Sequence, residues 1–176
     1  MAEPATRNPV PAALEIHRGY EPGLIGRVAE LHGRYYAAAW GVGPGFELMV
    51  ARDLCDFVER YDPENDIVLS AHIGGVLAGS IAILGNSGQE GAQLRFFLVD
   101  PRYQGLGAGK ALLNEALSWC RARRFPKVFL WTVDNLAQSR RLYDQAGFLV
   151  TAQHTDDRYT APLESLRMEL ALDLED

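Results

Sequence analysis

Apolar and polar positions change period several times along this chain, and each change marks a new element. Residues 14–18 alternate as a short strand, Pro22 and Gly23 interrupt it, and residues 24–39 carry the apolar spacing of an amphipathic helix. Gly41, Gly43, Pro44 and Gly45 make the next stretch a loop. Helical spacing resumes over 46–60 through Leu48 or Met49, Leu54 or Cys55, and Val58, until Asp62-Pro63-Glu64-Asn65 ends it. Two β-rich runs, 67–73 and 76–84, meet at Gly74-Gly75, a pair that tolerates the positive φ of a tight hairpin. A polar loop over 85–91 leads to a strand over 94–99. A helix over 111–123 follows, its buried side marked by Ala108, Leu112, Ala116, Trp119 and Cys120. Residues 128–133 form a compact strand. Asn135 with Gln138 resembles a capping box opening a helix that runs to Ala146, with Gly147 as its stop. Residues 148–154 and 163–172 are the last two strands. The order β-α-α-β-β-β-α-β-α-β-β predicts an α/β domain with mixed strand directions.

Length and composition narrow this reading. With 176 residues and 48% hydrophobic content the chain can bury one core, so a single domain over 13–176 behind a loose tail over 1–12 is expected. No apolar run approaches a membrane span, and residues 1–11 lack the basic start and apolar centre of a signal peptide. The net charge of −6 argues against a general affinity for nucleic acid or anionic lipid and favours a cationic partner. Cys55 and Cys120 both lie in helical apolar patterns, where free buried thiols of a reducing, cytoplasmic protein are expected. His17, His32, His72 and His154 are scattered without metal-ligand spacing between neighbours, so no metal is expected. Ser80 follows Gly79 but lacks the rest of a nucleophile elbow.

The densest chemical signal is at residues 104–110, Q-G-L-G-A-G-K, between the strand at 94–99 and the helix at 111–123. Gly105, Gly107 and Gly109 strip side chains from a strand-to-helix junction, where unpaired N–H groups and the helix dipole favour an anion. A Walker loop needs a glycine and a Ser or Thr where this chain has Gln104 and Ala111. A dinucleotide fingerprint begun at Gly105 or Gly107 needs its third glycine where Lys110 or Leu112 stands, and it belongs in the first βα unit. Both readings fail.

The segment resembles instead the acetyl-coenzyme A signature [Q/R]-x-x-G-x-[G/A] of the GNAT superfamily of N-acetyltransferases, carried here by Gln104, Gly107 and Gly109. Val99-Asp100-Pro101-x-Tyr103 before it and Ala111-Leu112-Leu113 after it extend the match. Residues 135–148, with Leu142-Tyr143 and Ala146-Gly147-Phe148, resemble the family's N-x-x-A-x-x-x-Y-x-x-x-G-F region. Ser139 takes the alanine place, and the asparagine lies one residue further upstream. His32-Gly33-Arg34-Tyr35-Tyr36, Phe46-Glu47 and Leu130-Trp131-Thr132 resemble a bacterial branch whose acetyltransferase domain often follows a MarR-type winged helix; the transferase is expected here without the MarR domain. The resemblance implies a GNAT fold, with a central mixed sheet of about six or seven strands flanked by about four helices and a splayed fourth and fifth strand.

It also implies the chemistry: acetyl transfer from acetyl-CoA to a primary amine of a small molecule, peptide or protein lysine, by direct attack in a ternary complex without a metal. Backbone amides of Gly105, Leu106, Gly107, Ala108, Gly109 and Lys110 would hold the pyrophosphate, with side-chain contacts from Gln104 and Lys110. Phe97, Leu98 and Val99 would offer backbone to the pantetheine as a borrowed strand. Tyr143 would protonate the departing thiolate, and Asn135 would reach the pantetheine or cap its helix. The base is open, because Gln93 and Arg95 stand on the strand where many relatives carry a glutamate; Glu47, Asp134 or a carboxylate acting through water are the candidates. Tyr35, Tyr36 and Trp40 are core packing or an acceptor-site wall, and Asp156-Asp157-Arg158-Tyr159 is a solvated loop or a border of that site. A homodimer is possible in such a family. The rival reading is a coenzyme-A-binding sensor that has lost efficient chemistry.

Overall fold

The computed structural model describes residues 13–85, 91–134, 136–156 and 163–173. The expected tail over 1–12, Asn135, and Asp157, Arg158 and Tyr159 lie outside the described residues. Eleven elements follow in the expected order: β1 (Leu14–Arg18), α1 (Leu24–Trp40), α2 (Pro44–Glu59), β2 (Asp66–Ile73), β3 (Val76–Leu84), β4 (Ala92–Val99), α3 (Ala108–Ala122), β5 (Lys127–Val133), α4 (Ala137–Ala146), β6 (Leu149–Asp156) and β7 (Leu163–Ala171). The strands form one seven-stranded sheet in the order β1-β2-β3-β4-β5-β7-β6. Every pairing is antiparallel except β4 with β5. The β2–β3 hairpin turns through Gly74 and Gly75 at φ 60° and 76°, the double positive φ that matches strand twist.

Two apolar cores sandwich the sheet. Ile67, Leu69, Ala71 and Ile73 of β2 face Leu112, Leu113, Ala116 and Cys120 of α3, together with Tyr143 of α4 and Phe148. Val68, Ala82, Leu84 and Phe96 face Leu24 and Val28 of α1 and Val50, Leu54 and Phe57 of α2. Because helices cover both faces, β2 and β3 read as nearly continuous apolar runs rather than as alternation. Each fully buried side chain of the Leu54 or Phe57 kind contributes about 1.5–3 kcal/mol. Cys120 is buried as expected, and burial pushes its thiol up to about 12. Cys55 is exposed, against expectation. The buried stripe of α2 is narrow, Val50, Leu54 and Phe57, and Cys55 sits one residue past Leu54, about 100° around the helix.

Two irregularities in β4 shape the site. Arg95 pairs with Ala82 and Leu98 with Ser80, so Phe96 and Phe97 together oppose Ile81 in a β-bulge. Phe96 takes the left-handed backbone, φ 52°, that a bulky residue rarely adopts, and the Ser80 hydroxyl donates to its carbonyl at 2.8 Å. On the other side β4 pairs with β5 only at Ala92–Val128 and Gln93–Phe129. Beyond Gln93 the two strands part, which is the expected splay.

Candidate active site

The splay leaves the β5-facing backbone edge of 94–99 without a strand partner among the described residues. Below it, the chain turns at Asp100. That carboxylate is buried; it accepts from the Arg102 backbone N–H at 3.0 Å and from Arg27 of α1 at 3.1 Å. Its hydrogen bonds to Arg102 hold its carboxyl below the usual range, against the effect of burial. Gly105 and Gly107 then adopt φ 80° and 86°, with open space where a Cβ would stand, and Gly107 caps α3 with no side chain over the helix end. Gly109 differs. It lies inside α3, where a Cβ would meet Leu142 of α4 at 3.0 Å, so its missing side chain lets the two helices approach.

A cavity of about 380 Å³ occupies this junction. Phe97, Leu98, Val99, Gln104, Gly105, Gly107, Ala108, Gly109 and Lys110 line it, with Tyr35, Tyr103 and Arg141 added by the fold. Leu106 is not among the lining residues; it is 58% exposed. The Gln104 side-chain amide donates to the Val99 carbonyl at 3.2 Å and so braces the turn.

A second cavity, about 390 Å³, lies between α1, α2 and the open ends of β4 and β5, and shares Phe97 and Ser139 with the first. Tyr36, Trp40, Phe46, Trp131 and Tyr143 make part of its wall aromatic, and Gln93, Thr132, Ser139 and Ser165 make part of it polar. Tyr36 packs on Trp40 and Phe46 with ring centroids 4.4 and 4.9 Å apart, and Trp131 meets His154 edge-on at 5.1 Å. The charged lining residues, Asp53 and Arg95, pair with each other. Tyr143 stands in the wall, buried, its ring against Phe97 and Phe148, and its hydroxyl has no protein partner among the described residues. Burial raises its pKa above the ordinary phenol value, so it remains a donor.

His32 lies in the same wall, 6% exposed. Its Nδ1 is 2.8 Å from the Val28 carbonyl, and burial, with Arg95 adding to it, lowers its pKa to about 4. The candidate bases Glu47 and Asp134 do not line this cavity. Glu47 lies over Gly33, where a Cβ would stand 2.7 Å from its Oε2, and Asp134 accepts from Arg140 at 3.3 Å. Gln93 and Arg95, the strand residues in the glutamate's place, both line it.

The histidines are less scattered than their spacing implies. Cross-strand pairing of β1 with β2 stacks His17 on His72 at 4.2 Å, and Glu21 accepts from Ser70 at 2.8 Å and bonds His72 at 2.7 Å. Sequence reasoning also missed the Phe96 bulge, Asp53 and the reach of His32 into the cleft. His32 had a readable signal, a polar residue one turn after Val28 on the buried stripe of α1. The bulge had none.

The layered α/β fold, with its splayed parallel strand pair over a glycine turn, is one that comparison with known proteins identifies. The GNAT acetyltransferase family model matches residues 25–148, and the chain belongs to that family. Among curated proteins, a mycothiol acetyltransferase of Acidothermus cellulolyticus is 46% identical over 50 residues, covering 28% of this chain and 15% of that protein. An N-acetylaspartate synthetase of Xenopus tropicalis is 26% identical over 116 residues, 65% of this chain and 43% of that protein. The chain thus spans less than half the length of these curated relatives. Among solved structures, yncA of Salmonella typhimurium, described with acetyl-CoA as its cofactor, superposes with TM-score 0.71 at 22% identity over 93% of this chain and 96% of that one. The ribosomal-protein-S18-alanine N-acetyltransferase of Escherichia coli gives TM-score 0.70 at 19% identity over 93% and 97%. No helix among the described residues is long and apolar enough to cross a membrane.

Proposed function

We propose that the chain is an N-acetyltransferase that binds acetyl-CoA in the cavity of the glycine turn and a primary amine in the adjoining cavity. The observation that carries this reading is that the two cavities adjoin, with Phe97 and Ser139 as shared wall residues beside the buried Tyr143. The open N–H groups of 105–110 and the α3 N-terminus suit a pyrophosphate. The unpaired edge of 94–99 suits the amides of pantetheine, and on this reading the thioester lies near Tyr143. Amine attack on the thioester carbonyl forms an oxyanion; collapse expels a thiolate that the Tyr143 hydroxyl protonates.

The acceptor cavity suits a compact primary amine with an apolar or aromatic body. Asp53 and Arg95 cancel, so no excess carboxylate among the described lining residues draws a polyamine or a lysine-rich peptide. The acidic balance of the whole chain therefore does not translate into an acidic site. Gly107→Glu places a bulky anion at the positive-φ cap where the pyrophosphate would sit. Acetyl-CoA titrated by calorimetry should lose saturable binding to this variant. Wild-type affinity in the variant would place the coenzyme elsewhere and overturn the reading.

A further inference from the structure

We propose that His32 is a catalytic residue that receives the acceptor's proton: its Nε2 accepts a hydrogen bond from the amine nitrogen, and takes the proton as that nitrogen bonds to the thioester carbon. This rests on the reading of the two cavities as an acetyl-transfer site. It supplies the base that neither Glu47 nor Asp134 is placed to be.

The tautomer follows from the backbone. The Val28 carbonyl can only accept, so the Nδ1 of His32 that lies 2.8 Å from it carries the hydrogen. Nε2 is then left with its lone pair, and no protein group among the described residues bonds it. Around the ring stand Tyr36 at 6.1 Å and the edge-on ring of Phe96 at 6.5 Å, neither of them a substitute for a hydrogen bond. Among the described residues no buried side-chain nitrogen or oxygen lacks a partner, so Nε2 is not sealed in the core; its open side is the cavity that His32 lines. The cavity is where that lone pair can be satisfied, and an amine is a donor.

Electrostatics keeps the imidazole in the accepting form. The titratable and charged groups that share its cavity are Tyr36 from α1, Asp53 from α2, Arg95 from β4, Tyr143 from α4 and His154 from β6. Burial, with the Arg95 charge added, leaves the ring neutral at physiological pH. Asp53 is occupied by Arg95, and His154 is exposed against Trp131. A weak base is sufficient because the demand comes late. Once the C–N bond forms, the nitrogen is a cation and far more acidic than a free ammonium. The amine must enter neutral, so the rate should follow the free-amine fraction of the acceptor rather than the titration of His32.

The step balances. The nitrogen pair forms C–N, the carbonyl π pair moves to oxygen and returns, and C–S breaks. One N–H proton goes to Nε2 and the Tyr143 proton goes to sulfur. Imidazolium then loses a proton to water and phenolate regains one, giving amide and free thiol.

Two variants separate this chemistry from packing. His32→Phe keeps a flat ring and removes both nitrogens; His32→Asn keeps a donor near the Val28 carbonyl and removes Nε2. With phenethylamine as acceptor, each should bind acetyl-CoA within about twofold of wild type while kcat falls roughly 10²–10⁴-fold. A folded His32→Phe with kcat within about threefold of wild type overturns the proposal. If His32→Phe does not fold, His32→Asn decides by the same threshold. A wild type that turns over no amine overturns the transferase reading and this proposal together, whereas an active wild type with an equally active variant overturns only the role of His32.

Discussion

At the scale of single residues, burial sets the chemistry. Tyr143 and His32 are both enclosed, and enclosure keeps the phenol a donor and the imidazole an acceptor at the same pH. The sequence singled out Tyr143, because a motif carries it. It did not single out His32, because a lone histidine on a helical stripe resembles any satisfied core histidine until the strand opposite is known. The Cys55 error has the same root: periodicity locates a stripe and not its width. His32 also has a consequence for stability. Its folded pKa is about 4 against 6.5 unfolded, so between those values the unfolded chain binds the extra proton. Stability must fall as pH drops from about 6.5 to 4 and level off below, by roughly 3 kcal/mol from this one group. Urea unfolding of wild type and His32→Phe at pH 7 and pH 4.5 measures it. The wild type should lose more stability than the variant over that interval, and equal losses would mean that His32 is not held neutral.

At the scale of elements, β4 organises the site by what it fails to pair. Its bulge at Phe96 turns the strand, its separation from β5 opens a backbone edge, and the Asp100 turn delivers the chain to the glycines. Element boundaries and order were legible because glycines, prolines and changes of period mark them. The bulge and the splay were not legible from spacing, since both arise from register with β3 and β5; only the family resemblance supplied the splay. Gly79 makes the dependence testable. A Cβ there would lie 2.8 Å from the Leu98 carbonyl and 3.2 Å from the Val99 Cα, both backbone atoms that cannot swing aside. Gly79→Ala should therefore push β4 away just below its bulge. It should destabilise the fold by about 1–3 kcal/mol and weaken acetyl-CoA binding severalfold. A Tm and an acetyl-CoA affinity both at wild-type values would show that the β3–β4 contact does not set the edge.

At the scale of the whole molecule, one sheet divides the labour. α3 and α4 cover one face and line the glycine-turn cavity; α1 and α2 cover the other and wall the second cavity, the proposed coenzyme and acceptor ends. Arg27 of α1 reaches Asp100 beneath the glycine turn, so the two ends are tied by a buried carboxylate as well as by the sheet. The α/β class and element order could be read from the chain, and the glycine-turn cavity could be anticipated through its motif. The acceptor end could not, because Asp53, Arg95, Trp131 and His32 come from four elements that only the folded sheet brings together. The central claim is that these two ends meet to move an acetyl group. Free thiol release from acetyl-CoA by the wild-type chain, recorded with and without a panel of primary amines, tests it most directly. Saturable release that depends on the amine, and is faster with phenethylamine than with spermidine, is the predicted result. Saturable acetyl-CoA binding with no amine-dependent release across the panel would contradict it and leave a coenzyme-binding sensor in its place.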